Sequence, residues 1–286
     1  DWVLAEITRY AGAKSGAQAR VAQRLDPDRP VELSTQTAIA RFGLPAEFPD
    51  AARLEAQGWG EEVDPEEAAR RVDLRPLPLV TIDGEDARDF DDAVFAEPHQ
   101  DGFRLIVAIA DVSYYVRPGG ALDDEAVKRG TSVYFPTRVI PMLPAALSDH
   151  LCSLQPRVDR LCFAADMVVT RQGQLKEARF YPAVMHSAAR LTYTLANAAL
   201  LEGRPEARAQ IGPLVERLLP LVEVYRALHK ARNRRGALDF DAPEATFDID
   251  AQDRVKGIVL KARNDAHRLI EECMIAANVQ AARFLK

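Results

Sequence analysis

The chain has 286 residues, 48% hydrophobic and 28% charged, and its 37 basic and 43 acidic side chains give a net charge of −6; that apolar content supports one large core or two modest ones and excludes wholesale disorder. No run approaches the ~20 apolar residues of a membrane helix, and the opening DWVLAEITRY lacks the basic-then-apolar order of a secretory leader. Three cysteines (Cys152, Cys162, Cys273) without a CxxC pair argue against a disulfide framework or zinc ribbon and for a reducing, cytoplasmic setting.

In chain order, residues 1–34 alternate the strand-like runs WVLAEI, ARVAQRL and VELS with Gly and Asp-Pro breaks, the texture of the tail of a small β-barrel. Residues 35–75 read as a connector, with helical patches such as 65–71 broken by Pro45, Pro49 and Gly60. From Leu77 the apolar runs lengthen. LPLVTI (77–82) leads into an acid-rich loop, and AVFAEP with FRLIVAIAD predicts a hairpin through the His99-Gln100-Asp101-Gly102 turn, around its Asp-Gly pair. CFAADMVVT and QLKEARFYPAV predict a second hairpin around Gln172-Gly173, and ATFDID with RVKGIVLK a third. Residues 213–235 read as a helix. Pro213 stands at its first turn, Gly236 follows it, and Leu214, Leu218, Leu221, Val222, Tyr225 and Leu228 form its apolar stripe. A last helix spans 265–286, with Asn264 or Asp265 as N-cap. No Gly or Pro stop follows it, so the chain is expected to be a piece of a longer protein. The sum is an α+β chain with a mainly antiparallel sheet.

The segment TIDGEDARDFDDAV (81–94) is the most informative. Six of the twelve residues 81–92 are acidic, Arg88 is their only basic neighbour, and Asp83, Asp89, Asp91 and Asp92 follow the spacing D-x5-D-x-D-D. Two like charges ~4 Å apart repel by ~1 kcal/mol in water and several-fold more near a protein surface. A divalent cation removes that penalty, and all-oxygen ligands select Mg²⁺ or Mn²⁺. The set suits a two-metal phosphoryl-transfer site. In an extended stretch Asp89 and Asp91 would share one side and Asp92 take the other. Spacing alone leaves three readings open: a metal site, a solvated acidic loop, or a helix cap. An EF-hand is excluded, because its D-x-D-x-D-G pattern is missing.

The same segment resembles the signature of the RNB family of exoribonucleases. Further blocks fit in order: VAIADVSYYV (107–116), RGTSVYFPTRVIPMLP (129–144), LCSLQPRVDRLC (151–162), ARLTYT (189–194) and NDAHRLIEECMIAANVQAARF (264–284). The resemblance implies an RNB catalytic domain, in its N-terminal portion, over 76–286, after a partial cold-shock or OB-type barrel at 1–34. It implies a monomeric cytoplasmic enzyme that uses Mg²⁺, with Mn²⁺ as a substitute. Its substrate would be single-stranded RNA or RNA with a 3′ overhang, hydrolysed 3′-to-5′ to nucleoside 5′-monophosphates. Carried over by position, Asp83, Asp89, Asp91 and Asp92 become the catalytic and metal-binding set, with Asp91 the most sensitive. Tyr134 would stack near the RNA 3′ end, and Tyr193, Phe240 and Glu271 would line the RNA path. By residue type alone, Tyr134 and Phe240 read as core and Glu271 as a solvated helix face. The family's downstream Arg-Arg-Tyr motif and S1 domain do not occur in these 286 residues, so a non-catalytic fragment that binds single-stranded RNA is the alternative.

Overall fold

The computed structural model describes residues 1–13, 15–238, 244–261 and 263–286. β1 (Trp2–Arg9) and β2 (Gln18–Leu25) pair antiparallel as a separate ribbon whose residues are almost all exposed. α1 (Pro30–Phe42) follows. The run VELS, expected as a strand, is therefore helical, and residue 34 lies inside α1. Pro30 at the first turn presets a helical φ, and Val31, Thr35 and Ile39 fall at four-residue intervals on one buried stripe. The hydroxyls of Ser34, Thr35 and Thr37 donate to the carbonyls four residues earlier. These contacts outweigh the strand preference of the β-branched residues.

The connector continues as α2 (Asp50–Gly58) and α3 (Pro65–Arg70). The sheet strands are β3 (Val72–Asp73), β4 (Val80–Asp83), β5 (Asp92–His99) and β6 (Gly102–Ala110). After α4 (Val112–Tyr115) and α5 (Ala121–Arg129), β7 (Val133–Tyr134) and β8 (Val139–Ile140) form a small pair. β9 (Arg160–Thr170), β10 (Leu175–Met185) and β11 (Ala189–Thr192) return to the sheet. α6 (Tyr193–Ala196), α7 (Pro205–Ile211), α8 (Leu214–Arg234), the hairpin β12 (Glu244–Ile249) and β13 (Val255–Lys261), and α9 (Asp265–Phe284) complete the chain.

The seven-stranded sheet has the order β11-β4-β5-β6-β9-β10-β3. Its outermost pairs, β11-β4 and β10-β3, are parallel, and the four pairs between them are antiparallel. The expected α+β class with a mainly antiparallel sheet is what the structure shows, and all three hairpins form. The first one turns through His99-Gln100-Asp101-Gly102 as expected, with Gln100 and Asp101 at its tip and His99 facing Gly102 across the strands, so Gly102 is not at the tip itself. Gly102 is needed for a different reason: a Cβ there would stand 2.2 Å from the Val169 carbonyl oxygen on β9.

Both sheet faces are covered. Val94, Val107 and Met167 pack with Leu218, Leu221 and Leu269 under α8 and α9. Phe95, Ile106 and Ala164 pack with Leu122, Leu147 and Leu151 on the opposite face. β6 thus reads as a continuous apolar run because it is buried on both sides. None of the described helices is long and apolar enough to cross a membrane.

Candidate active site at the aspartate loop

β4 ends at Asp83 and β5 begins at Asp92. The two strands are antiparallel, with Val80 opposite Val94, so both acids lie at the same end of the sheet. Residues 84–91 form an irregular loop between them. The alternation expected of an extended stretch therefore does not govern Asp89 and Asp91. β11 runs parallel to β4 with Thr192 opposite Asp83, which brings Tyr193, the first residue of α6, to the same end.

The four aspartates share one electrostatic field. Burial pushes Asp83 above the usual carboxylate range, the Gly84 N–H opposes that rise, and the charges of Asp91 and Asp89 add to it. Asp91 is also raised, by burial first and then by Asp89. Asp92 is pushed up to about 7 by burial, by the charges of Asp91 and Asp83, and by hydrogen bonding with Asp91. Its Oδ2 is buried without a hydrogen-bond partner. Among the described residues, no three His, Cys, Asp or Glu side chains converge closely enough to hold a metal ion as they stand. A shared field, rather than a finished cage, is the observed arrangement.

Two of the four expected RNA-contacting residues adjoin this field. Tyr134, 68% exposed, directs its hydroxyl to Asp89 Oδ2 at 3.4 Å. Tyr193 stacks on His267, with centroids 3.9 Å apart and planes 15° from parallel. Burial raises its phenol, followed by the charges of Asp83, Asp92 and Asp91. Tyr193 lines a cleft of ≈ 600 Å³ with Asp83, Glu85, Thr194 and Asn264. Glu271 is elsewhere, joined to Arg232 at 2.7 Å and to Arg263. Burial opposes its ionisation, but those two cations hold its carboxyl below its ordinary value. Phe240 lies outside the described residues.

Sequence reasoning missed the residues that hold the loop. Ser153 donates to the Arg88 carbonyl at 2.6 Å and accepts from the Phe90 N–H at 3.1 Å. Arg190 donates to the carbonyls of Gly84 and Glu85. Thr194 donates to Glu85 Oε1 at 2.7 Å. His267 and Asn264 form the capping box of α9 beside Tyr193. Ser153, Arg190 and Thr194 lie in the blocks LCSLQPRVDRLC and ARLTYT, where nothing but the family resemblance marked them.

Comparison with known proteins bears on the family and the fold. The RNB domain matches residues 71–286. The chain is 50% identical over 285 residues to ribonuclease R of Escherichia coli, covering 99% of this chain and 35% of that protein. It is 49% identical over 285 residues to ribonuclease R of Vibrio parahaemolyticus, covering 99% and 34%. It thus spans about a third of the length of these curated relatives. The structure of Mycoplasma genitalium RNase R in complex with ribose-methylated single-stranded RNA superposes with a TM-score of 0.86 at 28% identity, over 99% of this chain and 44% of that one. With most of its length matched by that domain, the chain belongs to the RNB family.

Proposed function

We propose that this chain carries the metal-binding part of a 3′-to-5′ exoribonuclease. Its substrate is single-stranded RNA or RNA with a 3′ overhang, its products are nucleoside 5′-monophosphates, and its cofactor is Mg²⁺, with Mn²⁺ able to replace it. The observation that carries this reading is the placement of Asp83 and Asp92 at one end of the sheet, with Asp89 and Asp91 in the loop between them and one buried oxygen of Asp92 unpartnered. Asp83, Asp89, Asp91 and Asp92 offer only hard oxygen donors, which fit these ions. Once bound, such an ion would neutralise the carboxylates and supply Lewis-acid activation of water at a phosphodiester.

The chain's own residues do the rest. The exposed ring of Tyr134 offers a face to a base beside Asp89, and such stacking holds any base for ~1–3 kcal/mol without reading sequence. Tyr193, braced by His267, walls the cleft next to Asp83. The similarity to the M. genitalium protein, which was captured with single-stranded RNA, supports RNA as the substrate class. The reading also places the enzyme, as a monomer, in the cytoplasm.

The test is a denaturing gel of 5′-labelled single-stranded RNA with Mg²⁺ or EDTA, run beside Asp91→Asn and paired with thermal melting. Shortening from the 3′ end is expected in Mg²⁺ alone, with Asp91→Asn slower by orders of magnitude. Intact RNA together with a melting temperature indifferent to Mg²⁺ overturns the reading. Intact RNA that stays bound in EDTA favours the non-catalytic RNA-binding alternative.

A further inference from the structure

Ser153 and Arg190 lie far along the chain from the acidic loop, yet they grip its backbone at two points. Ser153 is fully buried. Its hydroxyl uses its donor on the Arg88 carbonyl and its acceptor on the Phe90 N–H, which brackets Asp89. The Leu154 N–H adds a bond to the Phe90 carbonyl at 2.7 Å. The position of Ser153 is itself fixed, because Arg160 donates to its carbonyl at 2.9 Å and to that of His150 at 2.8 Å. At the other end of the loop, Arg190 donates to the consecutive carbonyls of Gly84 and Glu85, immediately after Asp83, and its guanidinium lies 5.5 Å from the centroid of the Phe90 ring.

These contacts go to main-chain atoms and use none of the aspartate carboxylates. Like charges on one loop repel and favour its opening, and restraint of the backbone from outside opposes that. We infer that Ser153 and Arg190 are positioning residues for the divalent ion. By fixing residues 84–85 and 88–90, they set the spacing between Asp83 and the trio Asp89, Asp91 and Asp92, and so set metal affinity. The inference rests on the metal-binding reading above. Removing the Ser153 hydroxyl leaves the buried Phe90 N–H without its acceptor and takes the donor from the Arg88 carbonyl. Partners of this kind, one step behind metal ligands, typically account for 10–100-fold in affinity.

The test is a Mn²⁺ titration of the 286-residue chain followed by electron paramagnetic resonance, with amide exchange of residues 84–91 measured in parallel. The variants are Ser153→Ala, Arg190→Gln and Arg190→Lys, and Val169→Ala, buried opposite Phe103 at the end of the sheet away from Asp92, serves as a destabilised but remote control. Ser153→Ala and Arg190→Gln are expected to weaken Mn²⁺ binding 10–100-fold and to speed exchange in the loop. Arg190→Lys should fall between them and the wild type, because both bonds come from the single nitrogen Nη2, which an ammonium can replace only in part while losing the planar group beside the Phe90 ring. Val169→Ala should melt earlier but bind Mn²⁺ like the wild type. If Ser153→Ala does not fold, Arg190→Gln, at a half-buried position, carries the same test. Variants that bind like the wild type, with unchanged loop exchange, overturn the inference and leave the metal reading standing. A wild-type chain that binds no Mn²⁺ overturns the metal reading and this inference with it.

Discussion

Asp92 and Asp166 show what burial does to a carboxylate with and without a cation. Burial raises Asp166 too, but Arg104 donates to both its oxygens at 2.7 and 2.9 Å and Tyr181 adds a third bond at 2.9 Å, so its carboxyl ends below its ordinary value. Asp92 has no cation, two acidic neighbours and one orphaned oxygen, and it is pushed up to about 7 from 3.8. Its folded state holds a proton more tightly than the unfolded chain does. Between pH 4 and 7 the native state therefore binds more protons, and stability falls as pH rises through that window. Below pH 4 both states are protonated and nothing is lost; above pH 7 the full penalty applies. Asp83 and Asp91 act in the same direction. In EDTA, the urea midpoint of the wild type relative to Asp92→Asn should decline from pH 4 to 7 and then level off. Saturating Mg²⁺ should remove most of that decline. A difference that stays flat across the window would count against the buried, unpaired state of Asp92.

At the scale of elements, the start of α1 depends on the β12–β13 hairpin at the far end of the chain. Arg29 stands at the N-cap but gives no side-chain cap. Asp253, in the hairpin turn, accepts from the Glu32 N–H at 2.8 Å with its carboxylate and from the Val31 N–H at 3.3 Å with its carbonyl. Its φ of 63° is left-handed, a conformation Asp and Asn tolerate. Asp253→Ala should cost about 1–2 kcal/mol from the lost cap alone, and Asp253→Asn clearly less, as read by urea unfolding. Equal losses would mean that the carboxylate is not the cap. This contact also marks how far the sequence is legible. The hairpins and the two long helices depend on local alternation, turn residues and caps, so they can be read directly. α1 could not, because Val31 and Leu33 beside Ser and Thr look like a strand until a cap 221 residues away is known. The candidate site divides in the same way. The aspartates announce themselves by spacing within one segment. Ser153 and Arg190 act on carbonyls and N–H groups, which every residue carries, so no pattern in the loop records that they are needed.

Over the whole molecule, the sheet joins both cores and the aspartates into one unit, whereas the N-terminal ribbon stands outside it. β5 gives Val94 to one core and Phe95 to the other, and Asp92 opens the same strand. β6 is paired on both edges and buried on both faces. β1 and β2 have only each other, with Trp2 at 58%, Ile7 at 51% and Val21 at 56% exposure, and a lone two-stranded ribbon is marginal in water. Opening free energies should therefore span a wide range along the chain. In hydrogen exchange followed by mass spectrometry, peptides covering 2–9 and 18–25 should exchange early, while 102–110 should open only with global unfolding. A ligand stabilises only the unit whose folded form it binds, by RT ln(1 + [L]/Kd), or about 2.7 kcal/mol at 100 times Kd. Saturating Mg²⁺ should accordingly slow exchange in 102–110 by about a hundredfold and leave 2–9 and 18–25 unchanged. Slowing confined to residues 84–92 would show instead that the loop opens independently of the sheet, and a ribbon as protected as β6 would contradict the division itself.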